Sequence, residues 1–138
     1  MAKTFTAPFA QTPRTATAVA TAAAGALTTD SPTGVVELLT AGADGAILTR
    51  LTAMPRATVT ASSLVLYLSS DGGTTKRLID SALMPAQTIS TTAQIASTTV
   101  GSYSEIVPLR LGAGDRLYVG SQVALAGGIV FRAEYTDY

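Results

Sequence analysis

Clusters of Gly, Asp and Pro recur roughly every ten residues along this chain and separate short runs rich in Val, Leu, Ile and Thr. Apolar and β-branched residues in runs of this length favour strands over helices. Strands at such regular spacing are typical of an antiparallel sandwich or barrel. We therefore predict an all-β protein, an antiparallel jelly-roll-like β-sandwich, with an immunoglobulin-like sandwich as the alternative.

Two runs give the most explicit strand predictions. Residues 129–138 alternate apolar and polar side chains, and residues 64–68 are apolar on both faces. A strand of the second kind is usually central and covered on each side. In residues 129–138, the side chains predicted to face inward are Ile129, Phe131, Ala133 and Tyr135. Hairpins are predicted at three turns that contain Asp and Gly, residues 41–45, 69–75 and 112–115.

The predicted domain organisation is an extended N-terminal arm, residues 1–14, followed by a single β-sandwich domain, residues 15–138. Pro8 and Pro13 disfavour helix in the arm because each lacks an amide hydrogen and restricts the residue before it. The Ala-rich residues 15–27 are interrupted by threonines, so we do not expect a cleaved secretory signal there.

The arm contains large apolar residues in a segment that is too short for a core of its own. Buried against a partner, Phe5 and Phe9 would each contribute roughly 1.5–3 kcal/mol. The predicted protein-interface residues are Lys3, Phe5, Phe9 and Arg14, which would dock on a neighbouring subunit. In the alternative, the arm folds back over its own sandwich. The long polar connection 84–102 is the second contact candidate.

The chain contains no His, Cys or Trp, and nine basic and nine acidic residues give a net charge of zero. General acid–base, nucleophilic and soft-metal chemistry rely on His and Cys. We therefore expect no enzymatic activity, no cofactor and no metal. Without a block of positive charge, we expect no nucleic-acid or membrane partner. A surface with so few charged residues is poorly protected against self-association, so a homo-oligomer is expected.

Three acidic residues lie beside glycine in predicted turns. They are Asp44, Asp71 and Asp115. Carboxylates in loops are the ligands of calcium sites, so a calcium site is one interpretation. None has the spacing of a calcium loop, and we interpret them as turn residues. A glycosidase requires a pair of neighbouring carboxylates, and three other acids are candidates on adjacent strands, but nothing in the sequence selects a pair. They are Glu37, Glu105 and Glu134.

A small basic patch is a further candidate, with Tyr67 nearby as a stacking partner for single-stranded nucleic acid. Its members would be Arg50, Arg56, Lys76 and Arg77. With eight aromatic residues in the whole chain, solvated strand faces or subunit salt bridges explain these cations better.

Four stretches together resemble small virion proteins of tailed bacteriophages. They are residues 34–45 (Gly-Val-Val-Glu-Leu-Leu-Thr-Ala-Gly-Ala-Asp-Gly), 63–75 (Ser-Leu-Val-Leu-Tyr-Leu-Ser-Ser-Asp-Gly-Gly-Thr-Thr), 78–80 (Leu-Ile-Asp) and 111–119 (Leu-Gly-Ala-Gly-Asp-Arg-Leu-Tyr-Val). The last stretch and the final strand are similar to the last hairpin of many jelly-roll domains.

The resemblance implies a capsid decoration or cement protein. Such proteins bind the major capsid protein on the outside of a phage head, often as trimers around local symmetry axes, and tie capsomers together. It would place this chain at the capsid surface of the virion after synthesis in the host cytoplasm. The alternatives are a phage tail or fibre component and a carbohydrate-binding attachment module. Sugar binding usually requires exposed aromatic platforms, for which this chain has five tyrosines and no Trp.

Overall fold

The computed structural model describes residues 10–138, which form nine strands and no helix. The strands are β1 (Thr12–Ala20), β2 (Val36–Thr40), β3 (Ala46–Pro55), β4 (Ser62–Ser69), β5 (Arg77–Met84), β6 (Thr98–Thr99), β7 (Leu109–Leu111), β8 (Arg116–Ser121) and β9 (Ile129–Asp137). They build two antiparallel sheets packed against each other. The predicted all-β fold and the antiparallel β-sandwich are therefore confirmed.

Sheet I has the strand order β1-β9-β3-β6, with β7 also paired to β3, and sheet II has the order β2-β8-β4-β5. The pairs β1 with β9, β2 with β8, β3 with β6 and β4 with β5 are nested, so strands counted from the two ends of the chain meet each other. The chain is thus one long antiparallel ribbon, doubled back at the β4–β5 turn. The further pairs β3 with β9 and β4 with β8 wrap this ribbon into two layers.

The core lies between the sheets and follows the period of two expected for strands. Ile129, Phe131 and Ala133 of β9 are fully buried, as the alternation predicts. Leu51 of β3 and Leu66 of β4 are also completely buried in the same cluster, the first from sheet I and the second from sheet II. Apolar side chains from both inner faces therefore hold the two layers together.

Strand β4 is central in sheet II and covered on both faces, which confirms the prediction. Its inner face joins the main core, while Val65 and Tyr67 form a second buried cluster with Tyr118 on the outer face. Ala24 and Val35, from the connection between β1 and β2, pack over that cluster. The outer face of sheet II is thus covered by the protein's own chain at β4 and β8, whereas Leu83 of the edge strand β5 is exposed.

Two of the three predicted hairpins are wrong. The turn at residues 69–75 joins the paired strands β4 and β5, as predicted. The turns at 41–45 and 112–115, by contrast, join strands that belong to different sheets. Two short apolar runs and an Asp-Gly turn suit either arrangement, because strands of both sheets direct apolar side chains at the same core.

The predicted boundary of the arm differs from the start of β1. Thr12, Pro13 and Arg14 pair with β9, so they belong to the sandwich. Pro13 fits there because β1 is an edge strand, where a missing amide hydrogen leaves no neighbour unpaired. Between β6 and β8, only Leu109–Leu111 pairs with another strand. The predicted connection 84–102 is interrupted by the short strand β6.

Candidate functional site

The outer face of sheet I differs from that of sheet II because no other segment of residues 10–138 forms a layer over it. We call this surface the open face. Its outward side chains form three rows across β1, β9 and β3, as the register of the pairs sets them. The rows are Val19 with Val130 and Met54, Thr17 with Arg132 and Thr52, and Thr15 with Glu134 and Arg50.

A β-bulge in β3 sets the direction of Arg50. The register shifts between Leu48 and Arg50, so two residues of β3 lie opposite Glu134 of β9. Leu48 and Leu51 consequently both point into the core, although they are three residues apart. Without the extra residue, Arg50 would have the inward parity of Leu48. Bulges of this kind re-aim side chains at functional edges and faces, and here the bulge places a cation on the open face.

A groove of about 650 Å³ crosses the open face. Its walls include the apolar side chains of Met54, Val130 and Ile95, and Arg56 and Arg132 stand at its rim. The space exists because Arg132 is flanked on both neighbouring strands by threonines rather than by large side chains.

The wall formed by Ile95 is held in place by a side chain of the 84–102 connection. The Gln87 amide donates to the carbonyl of Ala96 and accepts from its N–H, at 3.1 and 3.0 Å. Since Ala96 follows Ile95, this double hydrogen bond positions the groove wall before any partner arrives.

The charges around the groove are unbalanced. Glu134 lies 3.4 Å from Arg132 and 4.0 Å from Arg50, so one carboxylate faces two guanidinium groups. Arg56 is fixed by a 2.7 Å hydrogen bond from its Nε to the carbonyl of Gly127, which leaves its terminal nitrogens free to donate. The surface therefore carries an excess of positive charge, and the Arg56 guanidinium has a fixed orientation.

A second groove of about 520 Å³ lies next to the first and shares Arg50 with it. Arg14 lines it, and its guanidinium is bonded to Asp137, whose other oxygen accepts from the Gly42 N–H. Arg14 is thus the one predicted interface residue that the described part of the chain contains, and it lies in β1 beside a groove. The other three, Lys3, Phe5 and Phe9, lie outside the described residues.

The basic patch predicted from sequence is not assembled by the fold. Arg50 and Arg56 lie on or beside the open face, whereas Lys76 and Arg77 lie at the start of β5 in sheet II. Lys76 sits 4.8 Å above the ring of Tyr118, and the proposed stacking residue Tyr67 is buried.

Arg132 is the residue of the candidate site that sequence reasoning missed. The alternation of residues 129–138 already placed it on the outward side of its strand. Only the pairing of β9 with β3 brings it beside Arg50 and Arg56.

The predicted turn acids behave as turn residues where their contacts are defined. Hydrogen bonds from Thr75 and Ser69 lower the pKa of Asp71 to about 2. Asp115 accepts from the Gly112 N–H at 2.8 Å, and Asp44 lies in the β2–β3 turn. Within residues 10–138, no group of three potential ligands is arranged to hold a metal ion.

The three glutamates proposed as possible neighbours separate into two locations. Glu105 and Glu134 both line the smaller groove. Glu37 lies in sheet II, where it accepts from the Thr40 hydroxyl and pairs with Arg116. The fold therefore brings together two of the three.

One loop closes the side of the sandwich between β3 and β5. Tyr103 donates a 2.7 Å hydrogen bond to Asp80 of β5, and the turn beyond it is fixed by bonds between Ser104 and Val107. Burial, and then the bond to Asp80, raise the pKa of Tyr103 far above its ordinary value. Ile106 at the tip of this turn is 92% exposed.

We expect alkaline pH to destabilise the protein, most of all through Tyr103. Burial also raises the pKa values of Tyr67 and Tyr135. In the unfolded chain a tyrosine ionises near pH ~10. Above that pH the unfolded state loses protons that the folded state retains, so the free energy of unfolding falls as pH rises. Below pH ~10, the buried tyrosines make their full contribution to the free energy of unfolding. Urea unfolding followed at several pH values from neutral to strongly alkaline measures the slope.

The substitution Tyr103→Phe should make that alkaline slope shallower. Tyr138→Phe is the matched control, since the Tyr138 ring lies at the surface. Equal slopes for wild type and Tyr103→Phe would contradict the buried, hydrogen-bonded placement of Tyr103.

Comparison of the chain with protein-family models, with curated proteins and with solved structures found no significant match. Among the described residues, no helix has the length and apolar character needed to cross a membrane.

Proposed function

We propose that this protein is a structural virion component, a capsid decoration or cement protein that binds the outside of a phage head and bridges capsomers. Its partners would be the major capsid protein and sister copies in a homo-oligomer, with a trimer favoured. The work of such a protein is binding alone. A composition with zero net charge and without His or Cys suits this role, because binding requires no proton or group transfer.

The contrast between the two outer faces carries this proposal. Sheet II buries Val65, Tyr67 and Tyr118 under its own chain. Sheet I leaves Val19 and Met54 more than a third exposed, beside an arginine-rimmed groove. Apolar side chains surrounded by polar ones are typical of surfaces that a partner covers. The open face is therefore the surface best suited to a capsid.

The nested strand pairing supports a jelly roll as the finer description of the sandwich. A jelly roll has eight strands in two Greek keys, and it arises when a long antiparallel ribbon folds into two sheets. The four nested pairs and the two wrapping pairs follow that scheme, and β7 is an additional short strand beside β3.

The position of β1 supports the use of the preceding segment as a second contact. The Gln11 N–H bonds to the Asp137 carbonyl, so the chain enters β1 at the edge of sheet I, next to the smaller groove. Nine extended residues span up to about 30 Å. Phe5, five residues before Ala10, would reach up to about 17 Å toward a neighbouring subunit, and Phe9 would make its contact close to the sandwich while the open face binds its own site.

The test is binding to phage heads that lack this protein. Wild-type protein is added to the heads, and bound copies are counted by gel densitometry and located by electron microscopy. We expect deletion of residues 2–9 and the substitution Thr52→Tyr, which fills the groove, each to lower occupancy about tenfold or more. The deletion ends before Thr12, so it leaves β1 intact.

Ser63→Tyr is the matched control for Thr52→Tyr, because it adds the same side chain to an exposed position of sheet II. It should bind as the wild type does. Full occupancy by both the deletion variant and Thr52→Tyr would contradict the proposal. So would finding the chain in tails or fibres and not on heads.

A further inference from the structure

We propose that the groove on the open face binds an extended acidic segment of the partner protein, in which two carboxylate side chains flank an apolar one. This inference rests on the proposed function in one respect only, that the open face is the binding surface. It adds the chemistry of the segment that the groove selects.

The charge at the groove is the first observation. Arg50, Arg56 and Arg132 line it, and Glu134 is the carboxylate that pairs with two of them. The whole chain has a net charge of zero, so three arginines beside one glutamate are a local excess of positive charge on this face. The side chains of Arg50 and Arg132 are 60% and 52% exposed, so their donors are available. A guanidinium group pairs with a carboxylate through two parallel hydrogen bonds, which makes carboxylates the preferred ligands.

The order of the side chains along β9 is the second observation. Arg56 is anchored at Gly127, the apolar row of Val130 and Met54 follows, and Arg132 comes next. Alternate residues of a strand are roughly 7 Å apart, which is also the spacing of side chains on one side of an extended peptide. A peptide lying along β9 would thus place residues i, i+2 and i+4 over a cation, an apolar row and a second cation. The matching pattern is Glu-x-Val-x-Glu.

Two other occupants fit the groove less well. Residues 1–9 of this chain contain Lys3 and no acidic residue, so they offer no carboxylate to the arginines. None of the described residues lining the larger groove is aromatic, whereas single-stranded nucleic acid binds by stacking bases on aromatic rings. An acidic protein segment satisfies both the charge and the apolar floor.

Fluorescence anisotropy tests the inference with labelled peptides that contain Glu-Ser-Val-Ser-Glu, or the same sequence with Lys or Gln in place of Glu. We expect wild-type protein to bind the Glu peptide, more weakly as salt is raised. Arg56→Gln and Arg132→Gln should each weaken binding about fivefold to tenfold. Arg110→Gln, which removes an exposed cation from β7 outside the groove, is the matched control and should bind as wild type.

Several outcomes would overturn the inference. They are equal binding of the Glu and Lys peptides, no effect of either groove substitution, tighter binding of a single-stranded oligonucleotide, and self-association that the groove substitutions abolish. The head-binding assay separates this inference from the proposed function. If heads bind wild type and Arg56→Gln equally, the acidic segment is wrong and the decoration role stands. If the Glu peptide binds but heads do not, the decoration role is wrong and the acidic segment stands.

Discussion

Replacing Phe131 with alanine should destabilise the protein by about 3–5 kcal/mol. Phe131 is fully buried at the centre of β9, between β1 and β3 in sheet I, and faces the inner side of sheet II. Truncation removes the whole buried ring and leaves a cavity that rigid neighbouring strands cannot fill. Domains of this size are stable by only about 5–15 kcal/mol, so the loss is a large share of the total. Urea unfolding monitored by circular dichroism measures it.

Val130→Ala is the control for Phe131→Ala, because Val130 immediately precedes Phe131 in the same strand and its side chain lies on the open face. It should cost less than about 1 kcal/mol. If the two substitutions had similar effects on the free energy of unfolding, the assignment of inward and outward faces to β9 would be wrong.

Replacing Gly34 with alanine should release the chain segment that covers sheet II. Gly34 has a φ of +78°, and an added Cβ would lie 2.2 Å from the carbonyl oxygen of Ala23. Backbone must therefore move, and the segment that carries Ala24 and Val35 over Tyr67 must move with it. We expect a loss of about 1–3 kcal/mol beyond the cost of the left-handed backbone conformation. Urea unfolding gives the total.

Gly72→Ala isolates the conformational cost, since Gly72 also has a φ of +78° but no atom lies within 4 Å of an added Cβ. It should cost about 1–2 kcal/mol. Amide exchange distinguishes the two variants. The N–H groups of Ala24 and Gly25, which bond to Ser121 and Thr33, should lose protection in Gly34→Ala alone. Equal stability and equal protection in both variants would contradict the packing of this segment on sheet II.

The larger part of the proposed binding surface could not have been found in the sequence. Arg50 and Arg132 are 82 positions apart by their numbers, and only the β3–β9 register makes them neighbours. The bulge beside Thr49 has no clear sequence signal, yet it decides that Arg50 faces outward. The candidate grouping of Arg50 with Lys76 and Arg77 is not formed because β3 and β5 belong to different sheets.

Sequence alone determined the class of fold, the inward residues of β9, the doubly buried character of β4 and the turn at 69–75. These properties depend on the alternation of a strand and on turn chemistry, which act over a few neighbouring residues. Tertiary structure alone decided which strands share a sheet, which outer face the chain covers and where the cations meet. Those outcomes depend on pairings between distant segments, and a local pattern of apolar and polar residues is compatible with several of them.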